Sequence, residues 1–211
     1  MRVVMIGASG ATGDDLLKLL LDSAEISKVT CIGKRSLALV HPKLSSCVVS
    51  FDNLHAIKDE MDADIAFSCL GTTLKKAGSK SNQWKVDFEY QLDFAKICAE
   101  KGVKTFVLIS SLGANANSAI FYSRMKGQLE EAIKALSFQT FIIFQPSLLI
   151  RTNSDRPGEG YMAAALRLLN KFGLFRKYQP IKTMQLAKAM INAAISGLNG
   201  THTIAGNKIF I

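Results

Sequence analysis

Tyr122 and Lys126 stand four residues apart in a stretch, Phe121 to Leu136, whose apolar spacing predicts a helix. That spacing puts both side chains on one helical face. An ammonium held beside a phenol stabilises the phenolate, so the hydroxyl can exchange a proton with a carbonyl or an alcohol. Ser110 and Ser111 close the apolar run Thr105 to Ile109 just upstream, and a serine hydroxyl at that point can hydrogen-bond the same oxygen. Lys126 can also hold a ribose. The same Tyr–Lys spacing occurs on ordinary amphipathic helices, so the pair gains meaning only from its surroundings.

The strongest surrounding signal is the segment Gly7-Ala8-Ser9-Gly10-Ala11-Thr12-Gly13, which lies between the apolar, β-branched run Val3 to Ile6 and a leucine-rich stretch of helical periodicity, Thr12 to Asp22. In a strand–turn–helix setting, glycines at these spacings permit a tight turn and a close approach of backbone to a pyrophosphate. The helix start adds free N–H groups and a partial positive charge. A plain turn would not need three glycines here. Residues 7 and 9–13 are therefore the expected phosphate cradle of a dinucleotide.

About 20 residues beyond such a turn, an acid holds the adenosine ribose of NAD. Here the second apolar run, Val29 to Ile32, ends in Gly33-Lys34-Arg35, with no carboxylate. Two cations there suit a 2′-phosphate, for which arginine offers a bidentate contact. The plainer alternative is a solvated surface pair. Asp52 follows a third apolar run and either reaches the adenine end or caps the next helix. The cofactor expected is NADP(H).

The elements that must carry these groups alternate. Strands are predicted at Val3–Ile6, Val29–Ile32, Cys47–Val49, Asp64–Cys69, Thr105–Ile109 and Phe138–Phe144. Helices are predicted at Thr12–Asp22, Asn82–Lys101, ending at Gly102, and Phe121–Leu136. A long loop from Gly71 to Ser81 separates the fourth strand from its helix. The pattern predicts an α/β, Rossmann-like, doubly wound and mainly parallel sheet, with ligands bound beyond the carboxyl ends of the strands. After Pro146 the rhythm weakens. A loop with Arg151, Arg156, Pro157, Gly158 and Gly160, helices near Tyr161–Lys171 and Thr183–Ser196, and a last strand near Lys208–Ile211 are read as a small cap. That cap region, about 147–211, is not separate: residues 1–211 are expected to form one domain.

The totals agree with a folded chain of this kind: 211 residues, 48% hydrophobic and 20% charged. No secretory leader and no run long enough to span a membrane is read. Cys31, Cys47, Cys69 and Cys98 form no CxxC pair and lie at no metal-ligand spacing, so they read as reduced core residues of a cytoplasmic protein, with no metal. The net charge of +9 comes from Lys and Arg scattered among acids, without a basic block, so nucleic acid is not the expected partner. His41, His55 and His202 read as surface residues. Asp14 and Asp15 read as first-turn acids facing a helix dipole.

With these motifs in hand, the chain resembles an atypical short-chain dehydrogenase/reductase, in the branch of Tat-interactive-protein-like oxidoreductases and their bacterial relatives. The resemblance rests on GASGATG at 7–13, GKR at 33–35, SCLGTT at 68–73, LISSLGA at 108–114, YSRMKG at 122–127 and DRPGEG at 155–160, in family order over almost the whole chain. It implies that Gly7, Gly10 and Gly13 hold the pyrophosphate, Lys34 and Arg35 the 2′-phosphate, and that Leu70, Gly71 and Thr72 line the cofactor. It further implies Ser111, Tyr122 and Lys126 as the reductase triad, Ser111 being the second of the serine pair. One departure is Gln145 before Pro146, where relatives often carry Arg. The expected activity is NADPH-dependent hydride transfer to a small carbonyl-like substrate. The rival is an NADPH-binding sensor without turnover, acting through a protein partner.

Overall fold

The structure, a computed structural model, describes residues 1–150 and 180–210. Its strands are β1 (Arg2–Ile6), β2 (Lys28–Gly33), β3 (Leu44–Val48), β4 (Ile65–Ser68), β5 (Thr105–Ile109), β6 (Thr140–Gln145), β7 (Leu149–Ile150), β8 (Ile181–Lys182) and β9 (Gly200–Ala205). Seven of them form one sheet in the order β3-β2-β1-β4-β5-β6-β9, with every neighbouring pair parallel. The short β7 and β8 pair with each other alone. Parallel neighbours need crossovers, so helices cover both faces.

Side-chain alternation along the strands sorts the core into two layers. Val3 and Met5 of β1 point to one face, where they meet Leu16, Leu17 and Leu20 of α1 (Ala11–Asp22). Val4 and Ile6 point to the other. There they join Phe94, Ala95 and Cys98 of the helix Tyr90–Glu100 and Leu129 and Ile133 of the helix Phe121–Lys134.

The segment expected as a loop up to Ser81 carries the one-turn helix α2 (Leu74–Ala77), where the Thr73 hydroxyl accepts from Lys76 N–H and Gly78 sits at φ +78°. The predicted Asn82–Lys101 helix is three joined pieces: α3 (Lys80–Trp84), a π-helical turn at Lys85–Glu89, and α4 (Tyr90–Glu100). Gly102 ends it at φ +73° as expected. The helix after β5 is α5 (Phe121–Lys134).

Two strands lie away from their predicted places. β3 is an edge strand with half-exposed side chains, Leu-Ser-Ser-Cys-Val, so it lacks the apolar run that marks a buried strand. β6 starts at Thr140, not Phe138, because Ser137 at φ +56° turns the chain. Phe138 instead stacks on Phe106 at 4.9 Å.

The C-terminal region differs most. Of the expected cap, α6 (Thr183–Ile195) packs its Leu186, Ala187 and Met190 into the α1 layer, and β9 extends the main sheet beside β6. The last strand is Gly200–Ala205; the residues near Lys208 form a 3₁₀ turn, Gly206–Phe210, that buries Ile209. The Arg151–Gly160 loop, with its DRPGEG motif, and the helix near Tyr161–Lys171 lie outside the described residues. Among the described residues no helix is long and apolar enough to cross a membrane, and no cluster of three or more His, Cys, Asp or Glu could hold a metal.

Candidate active site

In-register pairing brings distant parts of the sequence to one sheet edge. Ile6 lies opposite both Ile32 and Ser68, Ser68 opposite Leu108, and Ile109 opposite Phe144. The residues that follow, Gly7, Gly33, Cys69, Ser110 and Gln145, therefore leave the sheet along a single rim. This is the carboxyl rim, and β1 and β4 flank the point where the strand order reverses.

The three glycines do different work. Gly7 has φ +81°, and a Cβ there would sit 2.4 Å from the Cys69 carbonyl carbon; a Cβ at Gly13 would sit 2.1 Å from the Gly7 carbonyl oxygen. Both are demanded by the protein's own packing. Gly10 is not: its φ of −81° suits any residue, it is exposed, and a Cβ would meet only Gly7 O at 3.2 Å and Cys69 O at 3.9 Å. Gly10 is the N-cap of α1 and supplies no side-chain cap, so first-turn N–H groups of α1 lack an intrahelical partner. An open, uncapped helix start under a turn without a side chain is what an anion needs. The residues present thus fit a pyrophosphate.

Two cavities flank this turn and share Leu70, Gly71, Thr72 and Lys76 as a common wall. The first, about 720 Å³, is lined by Gly7, Ser9, Lys34, Arg35, Phe51 and Tyr90 among others. Phe51 and Tyr90 stack at 5.3 Å, and the Lys34 ammonium lies 5.1 Å from the Tyr90 ring centre and 5.9 Å from that of Phe51. Neither Lys34 nor Arg35 has an acidic partner among the described residues, which leaves both charges for a ligand. Asp52 does not line this cavity. Its carboxylate takes the Lys85 ammonium at 2.7 Å and the Tyr90 hydroxyl at 3.1 Å, contacts that hold it below the usual carboxylate range, Lys85 foremost. Ser50, not Asp52, caps the 3₁₀ helix that begins there.

The second cavity, about 450 Å³, runs from Gly10, Ala11 and Thr12 to Ser110, Ser111, Tyr122 and Lys126. The structure thus brings every sequence-predicted site residue except Asp52 and Gly13 to the walls of one of these two spaces; Gly13 is buried against the Gly7 carbonyl instead. Tyr122 is 39% exposed, whereas Lys126 is only 2% exposed. It can be buried because Asp87, 1% exposed, faces it at 3.4 Å. Asp87 projects from the π-turn and also accepts the Thr72 N–H at 3.0 Å. Burial pushes its carboxyl up; the Lys126 charge and the Thr72 N–H pull it back.

The two serines separate clearly. Ser110 is buried and donates to Glu130, which also accepts from the Gln145 amide at 3.0 Å. Ser111 faces both the second cavity and a third space beyond it, and its hydroxyl has no protein partner among the described residues. Glu130 stands four residues after Lys126, so α5 presents Tyr122, Lys126 and Glu130 along one face and ties itself to the ends of β5 and β6. Gly127 lets the loop after β5 lie against that helix: a Cβ there would be 2.2 Å from Ala116 N.

Sequence reasoning missed Asp87, Glu130 and Lys76. Glu130 could have been found by extending the four-residue spacing of Tyr122 and Lys126 by one more step. Lys76 stands close after the SCLGTT motif. Asp87 carried no signal, because a lone acid in a charged helix reads as solvated. The cysteines are free thiols; Cys31 and Cys98 lie in the core as expected, whereas Cys47 and Cys69 are only partly buried, and burial pushes Cys31 up to about 12 and raises the other three.

No family model matches the chain. The protein fmp52, mitochondrial, of Aspergillus niger is 31% identical over 220 residues, covering 100% of this chain and 94% of the relative. HTATIP2 of Rattus norvegicus is 33% identical over 214 residues, covering 99% of this chain and 87% of the relative. Among solved structures, a short-chain dehydrogenase/reductase superfamily protein from Agrobacterium tumefaciens with bound NAD superposes with a TM-score of 0.72. It is 13% identical and covers 97% of this chain and 77% of that one, a likeness of fold. The expectation of a cytoplasmic protein is overturned, since the fungal relatives are named as mitochondrial proteins. Reduced thiols suit either compartment, so the cysteines never distinguished them.

Proposed function

Because this chain belongs to the family of HTATIP2 and the FMP52 proteins, atypical short-chain dehydrogenase/reductases, we propose that it is an NADPH-dependent reductase of a small carbonyl compound. In this reading residues 1–211 form a single cofactor-binding unit. One observation carries it: an uncapped helix start at Gly10 lies between a cationic cavity and a cavity that ends at Ser111, Tyr122 and Lys126. Gly7, Ser9, Gly10, Ala11, Thr12 and Gly13 would receive the pyrophosphate, Lys34 and Arg35 the 2′-phosphate. Leu70, Gly71 and Thr72 would line the passage between the two halves.

A bound reduced nicotinamide supplies hydride. The chain's own residues do the rest. Ser111 and Tyr122 hold the substrate oxygen, and the Tyr122 hydroxyl gives it a proton. Lys126 would hydrogen-bond the ribose, and Asp87 compensates the buried ammonium. Ser110, engaged by Glu130, is left out of the chemistry.

Gly10→Val tests the cradle. Dinucleotide binding measured by calorimetry is expected to vanish while the thermal transition stays cooperative, because a side chain would fill ligand space rather than protein space. Gly13→Val, colliding with the Gly7 carbonyl, is expected not to yield folded protein. Undiminished binding by folded Gly10→Val would remove this site. For cofactor choice, NADPH is expected to bind more tightly than NADH, and Lys34→Ala with Arg35→Ala to erase most of the difference. Loss of charge-assisted contacts worth about 1.5–3 kcal/mol each changes affinity tenfold or more. Equal affinities in the parent would show that the two cations serve something else. Turnover itself is tested by following NADPH absorbance with a panel of aldehydes, ketones and quinones; a parent inert to all of them would overturn the reductase reading.

A further inference from the structure

Beyond the Ser111 end of the cofactor cleft lies a third space of about 470 Å³, within the range of about 300–1,000 Å³ usual for small-molecule sites. It shares Ser111 and Tyr122 with that cleft, so it opens directly onto the two hydroxyls assigned to the substrate oxygen. Its walls also include Leu112, Gly113 and Ile120 from the loop after β5, and Pro146, Ser147 and Leu148 after β6, the last three shared with the cleft. No charged side chain lines it among the described residues. Ser123, also at its wall, has its hydroxyl committed to the Gly113 carbonyl. Ile120 is 70% exposed, far above the core aliphatics, at the N-cap of the helix that carries Tyr122.

A hollow whose only polar side chains are serine and tyrosine hydroxyls, with no charge among the described residues and apolar side chains elsewhere, selects its ligand by burial of hydrocarbon. We propose that it is the substrate subsite, and that it takes an uncharged aldehyde or ketone with an aliphatic chain or aromatic ring rather than an anionic or sugar-bearing carbonyl. The proposal rests on the reductase reading above. The reaction balances as hydride from the reduced nicotinamide to the carbonyl carbon and a proton from Tyr122 to the oxygen. The C=O π bond breaks, an alcohol forms, the nicotinamide is oxidised, and Tyr122 regains its proton from solvent. The carbonyl oxygen sits between Ser111 and Tyr122, and the hydrocarbon lies along Leu112, Ile120 and Leu148.

The test uses the full chain with NADPH and a series of propanal, hexanal and nonanal, with succinic semialdehyde as the charged counterpart and UDP-glucose as a nucleotide-sugar competitor. The ratio kcat/KM is expected to rise by roughly fourfold for each methylene that enters the hollow. Succinic semialdehyde is expected to be reduced poorly, and UDP-glucose not to inhibit. Ile120→Asp, at an exposed position that should not disturb folding, is expected to lower kcat/KM for nonanal at least tenfold more than that for propanal. NADPH affinity serves as the folding check.

A parent that is active but shows no chain-length gradient, or prefers the charged aldehyde, overturns this inference and leaves the reductase reading intact. A parent inert to every aldehyde overturns the reductase reading. The hollow is then judged by calorimetry with redox-inert amides on the NADP⁺-loaded protein. Nonanamide binding more tightly than propanamide, with the difference lost in Ile120→Asp, supports an apolar subsite; equal or absent binding overturns it.

Discussion

Tyr122→Phe is expected to cut carbonyl reduction by roughly 10²–10⁴-fold, the usual contribution of a positioned proton donor. NADPH affinity should change little. The substitution keeps the ring, and the hydroxyl it removes has no partner among the described residues, so no buried donor or acceptor is orphaned. Exposure of 39% also means that little packing rests on it. Stability should therefore be close to that of the parent, and the loss should appear in kcat. The measurement is NADPH absorbance with the best aldehyde of the series, variant beside parent. A variant that matches an active parent would remove Tyr122 as the acid and return the Tyr–Lys spacing to an ordinary helix face. An inert parent would instead favour the sensor alternative, in which cofactor occupancy alone matters.

The second large effect concerns a residue with no counterpart in the motifs. Asp87→Ala leaves the Lys126 ammonium buried without its acid, and breaking such a pair costs about 3–5 kcal/mol. Against the ~5–15 kcal/mol that holds an average domain folded, that loss would be visible as a large drop in the urea midpoint. Lys126→Met should be destabilising for the complementary reason, since it strands a carboxyl that burial already pushes up. The double variant Asp87→Ala with Lys126→Met is expected to recover part of the loss, because much of the cost arises from the unmatched partner. The four proteins form a cycle whose coupling energy isolates the pair. Additive single effects would mean that Asp87 and Lys126 do not stabilise one another. Because Lys126→Met perturbs both folding and turnover, its catalytic contribution is best read from the cycle rather than from the single variant.

The unequal legibility of these two positions has a physical origin. Tyr122 and Lys126 share one helix, and their relation is set by helical periodicity, which the sequence displays directly. Lys34 and Arg35 follow the end of β2, and Gly7 to Gly13 bridge one strand and one helix, so they too were readable locally. The same holds for the alternating parallel architecture, in which runs of apolar residues of two periods and their glycine stops appear along the chain.

Asp87 is different because it is 39 residues from Lys126, and the two meet only after β4, the π-turn and α5 are packed. A carboxylate with no local acid or base pattern looks solvated until the fold excludes water from it. Glu130 lay on the readable four-residue spacing, but its role was hidden for the same reason: its partners Ser110 and Gln145 come from β5 and β6, brought level by in-register pairing. That contact also distinguishes Ser110 from Ser111, two identical side chains that no spacing rule could rank. Asp52 moved the other way, since its place after β3 suggested a ligand role that Lys85 and Tyr90 occupy in the folded protein.

The C-terminal third was misread where apolar content is a poor guide to position. β9, Gly-Thr-His-Thr-Ile-Ala, is a half-exposed edge strand, so little of it needs to be hydrophobic, while the greasier residues near Ile209 turn under α6. Local periodicity and turn chemistry thus determined the glycine turn and the helical spacing of Tyr122 and Lys126. Tertiary packing decided which charges are buried, which serine hydroxyl Glu130 engages and which strand closes the sheet, because burial and long-range pairing exist only once the chain has folded.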